Sequence, residues 1–211
     1  MSGEKKQRKL SSAERLRLEE FGKLCDELAA QGYKRVDLTV SMFKANVLAV
    51  VALIVISAVV FPLFFLVHPD AEFVLSPVEI VMGVIVFLVL VVAHELVHGF
   101  TWSRFTPHGF ADVDFGVMLD SLSPYCTCKM PLPRDHYIIG ALMPLIVFGL
   151  VPMVIAFCAG WVPLLDIAIL MTVAAAGDVM IVVKALGYHT NAREVLLYDH
   201  PTDAGCVIFE R

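Results

Sequence analysis

The 211-residue chain is short of charge: Asp, Glu, Lys and Arg together make up 18% of it, while hydrophobic residues make up 58%. Soluble domains carry about 25% charge and about 45–50% apolar residues. That shortage excludes an ordinary water-soluble globule and an intrinsically disordered chain. The net charge of −5 leaves no basic excess of the kind that binds nucleic acid. Cysteine is sparse as well. Five residues at irregular spacings do not make a disulfide framework, and no disulfides are expected. No internal repeat and no low-complexity tract is visible.

The apolar surplus, with a mean hydropathy of +0.77, is segmental. It falls into four runs, 46–67, 78–102, 137–161 and 162–186. Each is long enough to cross a bilayer, which takes roughly 20 residues. The first run lies too far into the chain, and is too long, for a cleavable signal peptide. The expected architecture is therefore an all-α polytopic membrane protein with four transmembrane helices over residues 46–187. Positive charge is missing from one side of it. Residues 1–45 hold ten of the sixteen Lys and Arg, and the rest are Arg104, Lys129, Arg134, Lys184, Arg193 and Arg211. The loop at 68–77 and the turn near Trp161 have none. The positive-inside rule then puts both termini in the cytoplasm of a multi-pass cell (inner or plasma) membrane protein.

The polar parts are small. Ser11 and Glu14 fit a capping box that opens an amphipathic helix marked by Leu18, Phe21, Cys25 and Leu28. Residues 35–40 alternate like a short strand, which completes an N-terminal segment of 1–45. In the connection between the second and third runs, apolar residues recur at every second position, Val113, Phe115, Val117 and Leu119. Asp120 to Pro124 reads as a turn, so a small cytoplasmic β-hairpin is expected over 110–130. Residues 188–211 read as a cytoplasmic tail.

The second run contains His94-Glu95-Leu96-Val97-His98. Histidines at i and i+4 share one helix face and can hold one Zn²⁺, while the adjacent glutamate can take a proton from water. A charge at the centre of a membrane helix costs on the order of 2.5–3.5 kcal/mol, so residues of this kind in a span are a functional signal. A hydrolytic zinc site wants a third protein ligand. Asp178 in the fourth run is the candidate. It lies eight residues from the inner end of its run, and His98 and His94 lie four and eight from theirs. At ~1.5 Å per residue all three sit roughly 6–12 Å below the surface. Ala174 to Gly177 permits close helix approach. His108, His136 and the C-x-C pair Cys126 and Cys128 are weaker ligand candidates. His68, His189 and His200 read as surface residues, and Pro144 and Pro152 as kinks.

In order along the chain, His94-Glu95-Leu96-Val97-His98-Gly99, the loop Tyr125-Cys126-Thr127-Cys128 ending in Pro131-Leu132-Pro133-Arg134, and Gly177-Asp178 resemble a bacterial family of zincin peptidases. That family is in turn similar to the site-2 intramembrane metalloproteases. The resemblance covers roughly residues 35–200. It implies a three-helix catalytic core, zinc on His94, His98 and Asp178, and Glu95 as catalytic acid and base. It also implies a hairpin edge that presents Phe115, Val117 and Tyr125 to an extended substrate. Two features depart from the site-2 pattern: the order is Gly177-Asp178 rather than Asp-Gly, and no PDZ-like domain fits in the connections. The expected partners are the bilayer and a membrane protein or peptide substrate, with no nucleic acid. A non-catalytic metal-binding or metal-transport protein, or an inactive scaffold, would keep the same His and Asp without needing Glu95.

Overall fold

The computed structural model describes residues 12–73, 76–118 and 123–211. The helices are α1 (Ser12–Ala30), α2 (Met42–Val67), α3 (Pro77–Trp102), α4 (Arg134–Pro144), α5 (Val151–Ala159), α6 (Val162–Ala174) and α7 (Ala176–Gly187). The strands are β1 (Lys34–Thr39), β2 (Val113–Met118), β3 (Ser123–Cys128), β4 (Leu132–Pro133), β5 (Val195–Asp199) and β6 (Gly205–Glu210). Ser11 and the turn residues 119–122 lie outside the described residues.

Three helical stretches are long and apolar enough to cross a membrane: Met42–Val67, Pro77–Trp102 and Arg134–Ala159. The pair α6 and α7 makes a fourth if it is counted as one bent span. This is the build of a membrane protein, mostly helical with a small sheet. The spans are set locally by familiar signals. Ser76 opens α3 with a capping box, its hydroxyl accepting from the Glu79 N–H at 3.2 Å and its own N–H donating to the Glu79 carboxylate at 3.0 Å. Pro77 takes the first helical position, where its missing N–H costs nothing. At the far end of the third span Gly160 adopts φ 66°, and His68 packs into the space beside it. A ring nitrogen of His68 lies 2.6 Å from the Phe157 carbonyl and ties α2 to α5.

Two expectations need correction. The third and fourth runs are not single regular helices. Between α4 and α5 lies a π-helical segment, Leu145–Leu150, and α6 and α7 meet at Ala175 with a bend of 44°. Alanine and glycine neither forbid nor announce such a break. The second correction concerns fold class, which is not all-α. The residues expected to form a plain tail fold into β5 and β6 of a four-stranded antiparallel sheet ordered β1-β6-β5-β4. Strand β6 is buried from Gly205 to Phe209, on both faces. It therefore shows no alternation, the pattern that would have marked a half-buried strand.

Burial explains the layering. Phe21 and Leu28 of α1 cover one face of the sheet at Val207 and Phe209. The other face, with Cys206, Ile208 and Leu197, packs on Trp102, Tyr137, Val182 and Ala185 from α3, α4 and α7. A side chain such as Leu197, fully buried, contributes about 1.5–3 kcal/mol. A separate core joins α2, α5 and α6 through Phe64, Ala156 and Leu165. The second sheet, β2 paired with β3, lies against α3.

Candidate metal centre

Residues His94 and His98 are one helical turn apart, and both are buried on the inward face of α3. Facing them is Asp178 in the first turn of α7, where the Val179 N–H bonds back to the Ala175 carbonyl at the break. His94 Nε2 lies 3.1 Å from Asp178 Oδ2 and 3.1 Å from His98 Nε2. His98 Nε2 lies 3.5 Å from Asp178 Oδ2. Three ligand atoms held ~2.0–2.1 Å from zinc at tetrahedral angles stand roughly 3.3 Å apart. The triangle has that size. It is the one group among the described residues able to hold a metal ion.

Each neighbour of the triangle constrains it. The other nitrogen of His98, Nδ1, sits 2.9 Å from the Gly140 carbonyl, which can only accept, so Nδ1 carries the proton and Nε2 presents its lone pair. The indole of Trp102 stacks on the His98 ring at 5.1 Å and 14°. Gly140 has no side chain for good reason: a Cβ there would fall 2.0 Å from the Trp102 indole nitrogen. In contrast, His94 Nδ1 is buried and finds no hydrogen-bond partner among the described residues.

Beside the triangle opens a cavity of about 1050 Å³, lined among others by Glu95, His98, Asp178, Tyr125, Cys126 and Asp199. Glu95, partly buried, faces the Cys126 backbone N–H of β3. That places a carboxylate and an open cavity next to the candidate ligands. Tyr125 lines the cavity, with Arg17 of α1 over its ring at 4.5 Å. Phe115 and Val117 do not line it. Phe115 packs against Gly99 of α3, and both side chains are about half exposed.

The weaker candidates go elsewhere. His108 pairs with Asp112 and His136 stacks on Phe105. Cys128 is buried with the sheet core, and burial pushes its thiol up to about 12. Burial raises Cys126 further still. Neither cysteine belongs to a group of three possible ligands among the described residues.

Sequence reasoning missed the residues behind the site. Trp102 continues the i, i+4 series of His94 and His98 and was detectable by spacing. Gly140 carried no signal. Nor did Asp199, whose carboxylate is bonded by the Tyr137 hydroxyl at 2.6 Å and the Cys128 N–H at 3.2 Å. Burial pushes the Asp199 carboxyl up, and these bonds work against that shift.

No curated protein and no solved structure matches the chain. A family model described as "Putative zincin peptidase" matches residues 87–192, from the middle of α3 to just short of β5. That description supports a metallopeptidase and implies zinc, and the donor set of two imidazoles and one carboxylate suits that ion. With half of its length matched, the chain belongs to this zincin peptidase family.

Proposed function

We propose that the protein is a membrane-embedded zinc endopeptidase, similar to the site-2 proteases, that hydrolyses peptide bonds of transmembrane or membrane-associated substrates near the cytoplasmic face. The observation that carries this reading is the convergence of His94 Nε2, His98 Nε2 and Asp178 Oδ2 to within 3.1–3.5 Å of one another, with Glu95 in the adjoining cavity.

His94, His98 and Asp178 would hold the ion. Zinc in that place supplies Lewis acidity and a lowered pKa for water. The rest of the chemistry belongs to the chain. Glu95 accepts a proton in the cavity and returns one to the leaving nitrogen. The Cys126 N–H orients the Glu95 carboxylate for that exchange. Strand β3 borders the cavity along Pro124 to Thr127, so an extended substrate segment can lie beside it, with Tyr125 as a contact residue. The clustering of Lys and Arg before α2, in the 103–136 connection and after α7 supports cytoplasmic access to this cavity.

The test is to purify the full chain and its Glu95→Gln variant in detergent, then measure bound zinc and cleavage of single-pass membrane substrates. Equal zinc in both, with cleavage lost by roughly 10²–10⁴-fold in the variant, is the expected result. A variant that keeps both zinc and full cleavage would refute the peptidase reading. A wild-type protein that binds no zinc would refute the site.

A further inference from the structure

Behind the metal triangle runs a chain of contacts that ends outside the family-matched residues. His98 is clamped twice: the Trp102 ring stacks on one face, and the Gly140 carbonyl takes its Nδ1 proton. Both clamps rest on α4. Trp102 stacks on Tyr137 at 5.6 Å and 23°, and its indole N–H donates to the Tyr137 carbonyl at 3.2 Å. Gly140 follows Tyr137 by one turn of the same helix. Tyr137 is 1% exposed and directs its hydroxyl to Asp199 Oδ1. The other oxygen, Asp199 Oδ2, accepts from the Cys128 N–H at the end of β3. Two residues earlier on that strand, the Cys126 N–H faces Glu95, and both residues line the cavity. The Thr127 side chain between them also lies toward Asp199.

One carboxylate on β5 thus joins the element that aligns His98 to the element that aligns Glu95. These are the helix α4 and the strand β3, which otherwise meet the site from different directions. We propose that Asp199 is a positioning residue for the metal centre, fixing the placement of His98 relative to Glu95 through its two oxygens. The Glu95 half of this statement rests on the peptidase reading. The His98 half requires only that the triangle binds metal. Outer partners of ligating histidines typically matter by 10–100-fold in metal affinity, and a network whose donors all converge on one group is lost when that group is removed.

The experiment compares wild type, Asp199→Ala, Asp199→Asn and Tyr137→Phe as full-length proteins in detergent, on the folded monodisperse fraction of each. It reads zinc affinity by chelator competition, the visible spectrum of the Co²⁺-substituted protein, and kcat and KM. Asp199→Ala is expected to bind zinc about 10–100-fold more weakly. Its cobalt spectrum should change, and its kcat should fall with KM nearly constant. Asp199→Asn should recover most of this, because its carbonyl can take the Cys128 N–H while its amide donates to the Tyr137 oxygen. Tyr137→Phe cuts only the His98 arm. It should weaken zinc binding and lower kcat per metal-loaded molecule, each by less than Asp199→Ala does.

A merely structural Asp199 would lower the thermal midpoint and leave the affinity and cobalt spectrum of the folded fraction at wild-type values, which would overturn the proposal. Should Asp199→Ala fail to fold, wild-type zinc affinity in Tyr137→Phe overturns it equally. Weakened zinc binding in a wild-type background that cleaves no substrate would sink the peptidase reading and leave the His98 half standing.

Discussion

Phe115 of β2 occupies the place that a side chain at Gly99 would need: a Cβ on Gly99 would fall 2.3 Å from the end of the Phe115 ring and 3.0 Å from Val113. The glycine that follows His98 is therefore the notch in which the β2–β3 sheet is seated on α3. Gly99→Ala should displace that sheet. The Phe115 ring is half exposed and can swing outward, so the stability cost belongs near the low end of overpacking, about 1 kcal/mol. Cleavage should fall more than stability, because the Cys126 N–H that orients Glu95 moves with the sheet. Adding Phe115→Ala to Gly99→Ala should restore activity. Thermal midpoints and cleavage rates of the three proteins check this.

Gly140 offers no such escape. The Trp102 indole that a Cβ would strike at 2.0 Å is itself 4% exposed and stacked on both sides. Gly140→Ala should cost about 1–3 kcal/mol and shift the tryptophan emission, since only Trp102 and Trp161 contribute to it. A melt unchanged from wild type would show that the clamp on His98 is looser than described.

Metal removal gives a readout that needs no substrate. A ligand present at a hundred times its Kd stabilises the state it binds by about 2.7 kcal/mol. Zinc should raise the thermal midpoint of the chelator-stripped wild type, and should fail to do so for His98→Ala and Asp178→Ala. A shift of wild-type size in either variant would remove that residue from the ligand set.

The buried thiols give a prediction in pH. Alkylation requires the thiolate, and burial holds both Cys128 and Cys206 at about 12. At pH 8 roughly one molecule in ten thousand carries either thiolate. The rate should climb tenfold per pH unit up to that value, provided the fold survives. Iodoacetamide at pH 8 should therefore leave Cys128 and Cys206 unmodified in the folded protein and modify them in denaturant, as peptide mapping would show. Rapid labelling of Cys206 in the folded state would contradict its burial between the sheet and the helices.

The site was more legible in the sequence than the scaffold. His94, His98 and Asp178 are polar groups in apolar spans, and helical spacing plus a depth count was enough to suggest that they meet. What the count could not contain was the break at Ala175, after which a new helix starts two residues before Asp178. Small residues permit a bend without requiring one. Strand β6 was illegible for the opposite reason: its run of apolar side chains is covered by α1 on one face and by α3, α4 and α7 on the other. The Tyr137–Asp199 bond joins residues 62 positions apart, and neither residue advertises its partner. The resemblance implied a hairpin edge with Phe115, Val117 and Tyr125 for an extended substrate; of the three, Tyr125 lines the cavity.

The sheet also counts the crossings. Strand β1 precedes the first span and β6 follows the last, yet they are hydrogen-bonded from Lys34–Glu210 to Thr39–Gly205. Strand β4, which lies between the second and third spans, pairs with β5. Strands joined in one ladder occupy one side of a membrane, so every stretch of chain between β1, β4 and β5 must traverse the bilayer an even number of times. An odd total is topologically impossible. Counting the bent pair α6 and α7 as one span satisfies that parity, with the kink beside Asp178 inside that span.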